Sequence, residues 1–128
     1  MIYDFLRARL SGLEGLEDKV FPVSANIDDV EGAFAVYTYR GTTPETDLSG
    51  AVHNYSERIS VDFIGPLYDD LRRLYSEAEA ALSVSNLDTG TGAYIFDSSC
   101  SNGEQESFDP DADLFRVPMQ VSICWCPI

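Results

Sequence analysis

The sequence predicts an α+β domain: an antiparallel four-stranded sheet with two helices packed on one face, in the order α-β-β-α-β-β. Three observations predict it. Residues Tyr55, Glu57, Ile59, Val61 and Phe63 alternate with Ser56, Arg58, Ser60 and Asp62, the period of two that marks a strand with one buried face. After Gly65-Pro66 the period lengthens. Leu67, Leu71, Leu74, Ala78, Ala81 and Leu82 recur at three and four, which places them on one stripe of a helix. Near the C-terminus Phe115, Val117, Met119, Val121, Ile123 and Trp125 alternate with Arg116, Gln120, Ser122 and Cys124, so a last strand turns one face to the core.

The other elements follow in order. Ile2, Phe5, Leu6, Leu10 and Leu13 predict an amphipathic helix over residues 2–11, ended by Gly12 and Gly15. Val20 to Val23 reads as extended, because Pro22 biases Phe21 away from helix. Ser24 to Gly32 is an acidic loop, and Ala33 to Arg40 is a strand by its aromatic and β-branched content. Gly41 to Gly50 is dense in turn formers and joins that strand to the central one as a long hairpin. Pro66 suits the first turn of the second helix, and Asp69 and Asp70 suit its positive end. Asp88 to Gly92 reads as a turn and Ala93 to Ser98 as a short strand. Ser101-Asn102-Gly103 is a hairpin signal, followed by an acidic arm. Pro118 predicts an edge or a bulge in the last strand. No internal repeat is visible, and residues 1–128 read as a single domain.

Composition narrows the function. With 22 acids against 8 bases the net charge is −14, which argues against binding nucleic acid through its phosphates and against anionic membrane surfaces. No apolar run approaches the roughly 20 residues that span a bilayer, and no secretory signal is visible at the N-terminus. Three cysteines fit a reducing compartment better than a disulfide framework. A cytosolic protein is expected.

Short motifs with catalytic or metal-binding associations fail on context. Asp88-Thr89-Gly90 matches the turn of aspartic proteases, but it follows a helix and lacks the apolar strand that supports such a turn. Asp109-Pro-Asp-Ala-Asp113 begins like a calcium loop. The sixth position is Leu114 where Gly is required, and the twelfth is Gln120 where Glu is required. Cys100, Cys124, Cys126 and the lone His53 do not make a zinc set, and His53 has no nucleophile context. Neither an enzyme nor a cofactor is expected.

The order and wording of the segments resemble a known family, the small phage tail-completion proteins: the tail-terminator or head–tail joining proteins of long-tailed phages, prophages and gene transfer agents. The resemblance runs through a short helix, a Val-Phe-Pro segment at 20–22, and Ala-Val-Tyr-Thr-Tyr-Arg-Gly-Thr-Thr-Pro at 35–44. It continues through Arg-Ile-Ser-Val-Asp-Phe at 58–63, a helix opening Tyr-Asp-Asp-Leu at 68–71 and ending Ala81-Leu82, and Asp-Leu-Phe-Arg leading into the last strand. Each piece is degenerate; their order and spacing carry the likeness.

That resemblance implies a structural virion protein of the tail and neck, assembled in the host cytoplasm. Family members form a ring with copies of themselves, usually hexameric, on the last ring of the major tail-tube protein. They stop its polymerisation and present the surface that docks to the head-completion or connector protein, while genomic DNA passes through the lumen. An acidic lumen suits this passage, since carboxylates repel phosphates. Expected interface residues lie in polar loops: Asp28, Asp29, Glu31, Thr43, Glu45, Asp47, Glu104, Glu106, Asp109, Asp111 and Asp113. The competing expectation is an acidic binding or inhibitory module that mimics DNA.

Overall fold

In the computed structural model, which describes residues 2–23, 31–46, 48 and 52–128, the strand count departs from the expectation. The elements are α1 (Ile2–Ser11), β1 (Val20–Pro22), β2 (Phe34–Thr46), β3 (Val52–Gly65), α2 (Tyr68–Leu82), β4 (Val84–Asp88), β5 (Ala93–Asn102), β6 (Ser107–Asp109) and β7 (Leu114–Pro127). They form a seven-stranded mixed sheet in the order β1-β2-β3-β7-β5-β4, with β6 also paired to β7. A four-stranded antiparallel sheet is therefore wrong. β1 runs parallel to β2, with Val20 opposite Ala35, and the other pairs are antiparallel.

The strands missing from the expectation are those too short or too wet to show a period. β1 has three residues, and its neighbours extend the contact: Val23 N donates to Tyr37 O and Ala35 N to Lys19 O. In β4 the alternation is broken at Asn86, which sits at φ 53, a left-handed conformation that Asn tolerates better than most residues. β6 is exposed at all three positions. The turn-rich segment after Arg40 is also strand. β2 continues past a bulge between Tyr39 and Gly41 and pairs with β3 as far as Thr46 and Val52.

The two helices lie where apolar spacing puts them, and they share one core with the inward face of the sheet. Leu71, Leu74, Ala78 and Leu82 of α2 and Leu6 and Leu10 of α1 are fully buried. They pack with Ile59, Val61 and Phe63 of β3 and with Val117, Met119, Val121 and Ile123 of β7. α2 starts one residue later than its stripe suggests. Leu67 is extended and 61% exposed, and Pro66 precedes the helix instead of occupying its first turn.

Pro118 stands in a central strand, flanked by β3 and β5, and not at an edge. Its carbonyl accepts from Gly103 N at 3.4 Å. In an antiparallel strand the N and O of one residue point to the same side, so the missing N–H faces the gap between the end of β5 and the start of β6. No bond to β3 is lost. A Cβ on Gly103 would come within 3.1 Å of the Pro118 and Met119 backbone, so this junction is tight for any side chain.

Gly65 closes β3 against the helix layer. A Cβ there would meet Ala33 Cα at 3.0 Å and Leu71 Cδ2 at 3.2 Å. Gly65→Ala is expected to cost about 1–3 kcal/mol by overpacking, and Phe63→Ala, at a site with no exposure, about 3–5 kcal/mol. Urea unfolding checks both; the midpoint should fall with the slope unchanged.

Candidate functional site

The face of the sheet turned away from the helices carries the polar half of each alternating strand. Register brings those residues together: Ser60 lies opposite Gln120, Asp62 opposite Pro118 and Ile64 opposite Arg116. Arg40, in step with Val36 opposite Asp62 and Thr38 opposite Ser60, lies on the same face, where its Nε donates to Ser60 Oγ at 2.7 Å. Ser60 Oγ in turn donates to Gln120 Oε1 at 3.4 Å. A cleft of about 290 Å³ opens here, lined by Arg40, Ser60, Asp62, Asn102, Glu104 and Arg116 among others.

Charge organises the cleft. Arg116 Nη2 lies 3.1 Å from Asp62 Oδ1 and 3.3 Å from Glu104 Oε2, and Arg40 Nη2 lies 4.0 Å from Glu104 Oε1. Asp62 Oδ1 is buried without an aligned donor, so its contact with Arg116 is an ion pair more than a directed hydrogen bond. Burial of the Arg116 guanidinium acts to lower its pKa; Asp62 and Glu104 more than reverse this and hold it above its usual value. Ser60 Oγ is engaged on both sides, and the two arginines of the cleft are matched by Asp62 and Glu104.

The inward face carries a buried carboxylate. Glu57 is 7% exposed, and burial raises its pKa above the ordinary 4.5, against smaller opposing effects of Trp125 and Thr42. Thr42 Oγ1 donates to its Oε1 at 3.5 Å. The Trp125 indole is near enough to favour the carboxylate, yet neither Glu57 Oε2 nor Trp125 Nε1 has an aligned partner. Tyr3, which stacks on Tyr37, is pushed up to about 12 by burial and then by Glu57.

The expected interface residues fall into separate groups. Asp28, Asp29 and Asp47 lie outside the described residues. Glu31 is exposed before β2, and its carbonyl accepts Lys19 Nζ at 2.8 Å. Thr43 and Glu45 are exposed on the far half of β2, level with Cys124 in register. The acidic arm begins level with Arg116, eight strand residues or about 26 Å away. Within the arm, Glu106 is bound by Arg72 at 3.0 Å and by the Tyr68 hydroxyl at 2.6 Å, a bond that raises the Tyr68 pKa. Asp109 Oδ1 accepts the N–H groups of Asp111 at 3.0 Å and Ala112 at 3.4 Å. Asp111 and Asp113 are exposed and make no ion pair among the described residues.

The discounted motifs have local uses. Asp88 Oδ1 accepts Gly90 N at 2.9 Å in the β4–β5 hairpin turn, so the Gly-rich turn joins two strands and not a helix to a strand. Burial, and after it Glu79, pushes Cys100 up to about 11, and burial raises Cys124; both thiols resist forming the reactive thiolate. The His53 side chain lies outside the described residues. Arg40, Ser60, Asp62, Arg116 and Gln120 are the site residues that sequence reasoning did not single out. Alternation shows that four of them face outward; only register shows that they meet. No protein-family model and no curated protein matches this sequence.

Two outcomes follow from this geometry. Arg116→Ala leaves Asp62, whose side chain is 15% exposed, without its counter-charge. It is expected to cost about 1–2 kcal/mol in denaturant unfolding, below the cost for a fully buried pair because both partners retain some solvent. For Glu57, a raised folded-state pKa means the native state keeps a proton that the unfolded state has lost. Stability therefore falls as pH rises from the ordinary value through the raised one. Glu57→Gln should melt higher than the parent at neutral pH, and the gain should vanish below pH 4.5; a gain independent of pH would contradict the assignment.

Proposed function

We propose that this chain is a structural subunit of a phage tail: a terminator that assembles into a ring with copies of itself, caps the tail tube and joins it to the head connector. The order of segments along the chain first points there. The observation that carries the proposal is the separation of two exposed polar projections, the outer half of the β2–β3 hairpin with Thr43 and Glu45 and the β6–β7 turn with Asp111 and Asp113. A ring subunit meets two neighbours through different patches, and hairpins held by a rigid sheet can supply them.

The partners in this proposal are further copies of the chain, the major tail-tube protein and the head-completion protein, with DNA traversing the lumen. The net charge of −14 suits a lumen to which phosphates do not adhere. Among the described residues no helix is long and apolar enough to cross a membrane.

The test has two arms. Light scattering across concentration, with and without magnesium to screen subunit repulsion, should reveal a discrete ring-sized species. Added to polymerising tail-tube protein, the chain should arrest growth and appear at tube ends by electron microscopy. A protein that stays monomeric and leaves tube length unchanged would overturn the proposal, and co-purification with a DNA-binding enzyme would instead favour a DNA mimic.

A further inference from the structure

We infer that the apolar hollow where β6 and β7 meet the ends of β2 and β3 docks a basic segment of a different protein, one that offers an apolar side chain with Lys or Arg beside it. The inference goes beyond the ring proposal and does not depend on it.

The outward face of the sheet is polar at Ser60, Asp62 and Gln120 and turns apolar at one end. There Phe34 stands opposite Ile64, Ile64 opposite Arg116 and Arg116 opposite Ser107, so a single row crosses four strands. Phe34, Ile64, Leu114 and Phe115 line a hollow of about 450 Å³. Pockets of that size take a small ligand or an anchoring side chain. Phe34 is buried, while Ile64, Leu114 and Phe115 keep part of their surface in water. An apolar occupant would remove that remainder from solvent.

Charge identifies the occupant. Asp109 lines the hollow and lies opposite Leu114, and Asp111 and Asp113 follow in the turn to β7. All three are exposed, and none makes an ion pair among the described residues. Asp109 Oδ1 accepts the N–H groups of Asp111 and Ala112, which orients that carboxylate without cancelling its charge. Arg116, also at the rim, is committed to Asp62 at 3.1 Å and to Glu104 at 3.3 Å. Unmatched negative charge therefore stands beside apolar walls, and it complements a cation carried next to an apolar side chain. Lys and Arg suit such a rim because their stems cover apolar surface while their heads stay in water. A second copy of this chain fits poorly. It carries a net charge of −14, and the leucines beside its helical arginines, Leu6, Leu10, Leu71 and Leu74, are fully buried.

Fluorescence anisotropy on the full chain tests the hollow, with labelled synthetic peptides that carry a central Leu or Phe between pairs of Arg. These peptides should bind, and binding should weaken as salt rises. A central Ala should weaken it about tenfold, and Glu in place of Arg should abolish it. Leu114→Arg, which puts a cation into the hollow, and Asp111→Lys, which keeps the Asp109 cap, should each weaken binding by about tenfold or more. Unchanged melting of the variants would separate lost docking from lost folding, and the Ala-centred peptides test the hollow on the parent protein alone. Peptides that fail to bind, or that bind both variants as well as the parent, would overturn the inference. Equal binding of the Ala-centred peptides would also overturn it, since general attraction to an acidic protein would then suffice. Self-association of the parent that is lost in Leu114→Arg by sedimentation velocity would assign the hollow to a second copy instead. Tube capping decides the terminator proposal separately.

Discussion

β3 is hydrogen-bonded along nearly its whole length to β2 on one side and to β7 on the other. A strand so constrained cannot slip, because a shift of one residue would turn Ile59, Val61 and Phe63 out of the core and Ser60 and Asp62 into it. The inward side chains then set the helix layer, since α2 follows directly through Gly65 and lays Leu71, Leu74 and Ala78 on them. The outward side chains set the cleft. Core and candidate site are two faces of one ladder.

That coupling shapes how a strongly acidic chain folds. Two of its cations are placed where an acid is hard to solvate or where a segment needs pinning. Arg116 neutralises Asp62, the least exposed partner in the ion pairs described, and reaches out to Glu104. Arg72, with the Tyr68 hydroxyl, ties the acidic arm to α2 through Glu106. Exposed pairs of this kind contribute little to stability; their effect is to place the arm, so that the hairpin tip projects from a defined position.

The junction beside the cleft depends on two residues with opposite backbone properties. Pro118 lacks a donor, and Gly103 lacks a side chain. β7 can therefore exchange β6 for β5 as its neighbour without leaving an unmet N–H or a clash. Glu104 follows immediately, which is why an exposed carboxylate reaches both arginines. Below the sheet, Glu57 and Tyr3 belong to an aromatic corner of the core, and the upward shifts of both arise first from burial.

The sequence by itself determined the long periodic elements. A three-to-four spacing from Leu71 to Leu82, and an alternation across Tyr55–Phe63 and Phe115–Trp125, specify burial before any partner is known, because only one face of each can be apolar. Only the tertiary structure decided the rest. β1, β4 and β6 are too short or too exposed to carry a period and exist as strands because a neighbour supplies their hydrogen bonds. Pro118 suggested an edge or a bulge because its side of the ladder cannot be read along the chain. The acidic arm was legible as charge, but its division into Glu106 pinned to α2, an exposed Glu104 beside two arginines and exposed Asp111 and Asp113 was not. The cleft was hidden for the same reason: Arg40, Asp62 and Arg116 are far apart in sequence, and their meeting depends on strand register, which arises from pairing between segments and not from either segment alone.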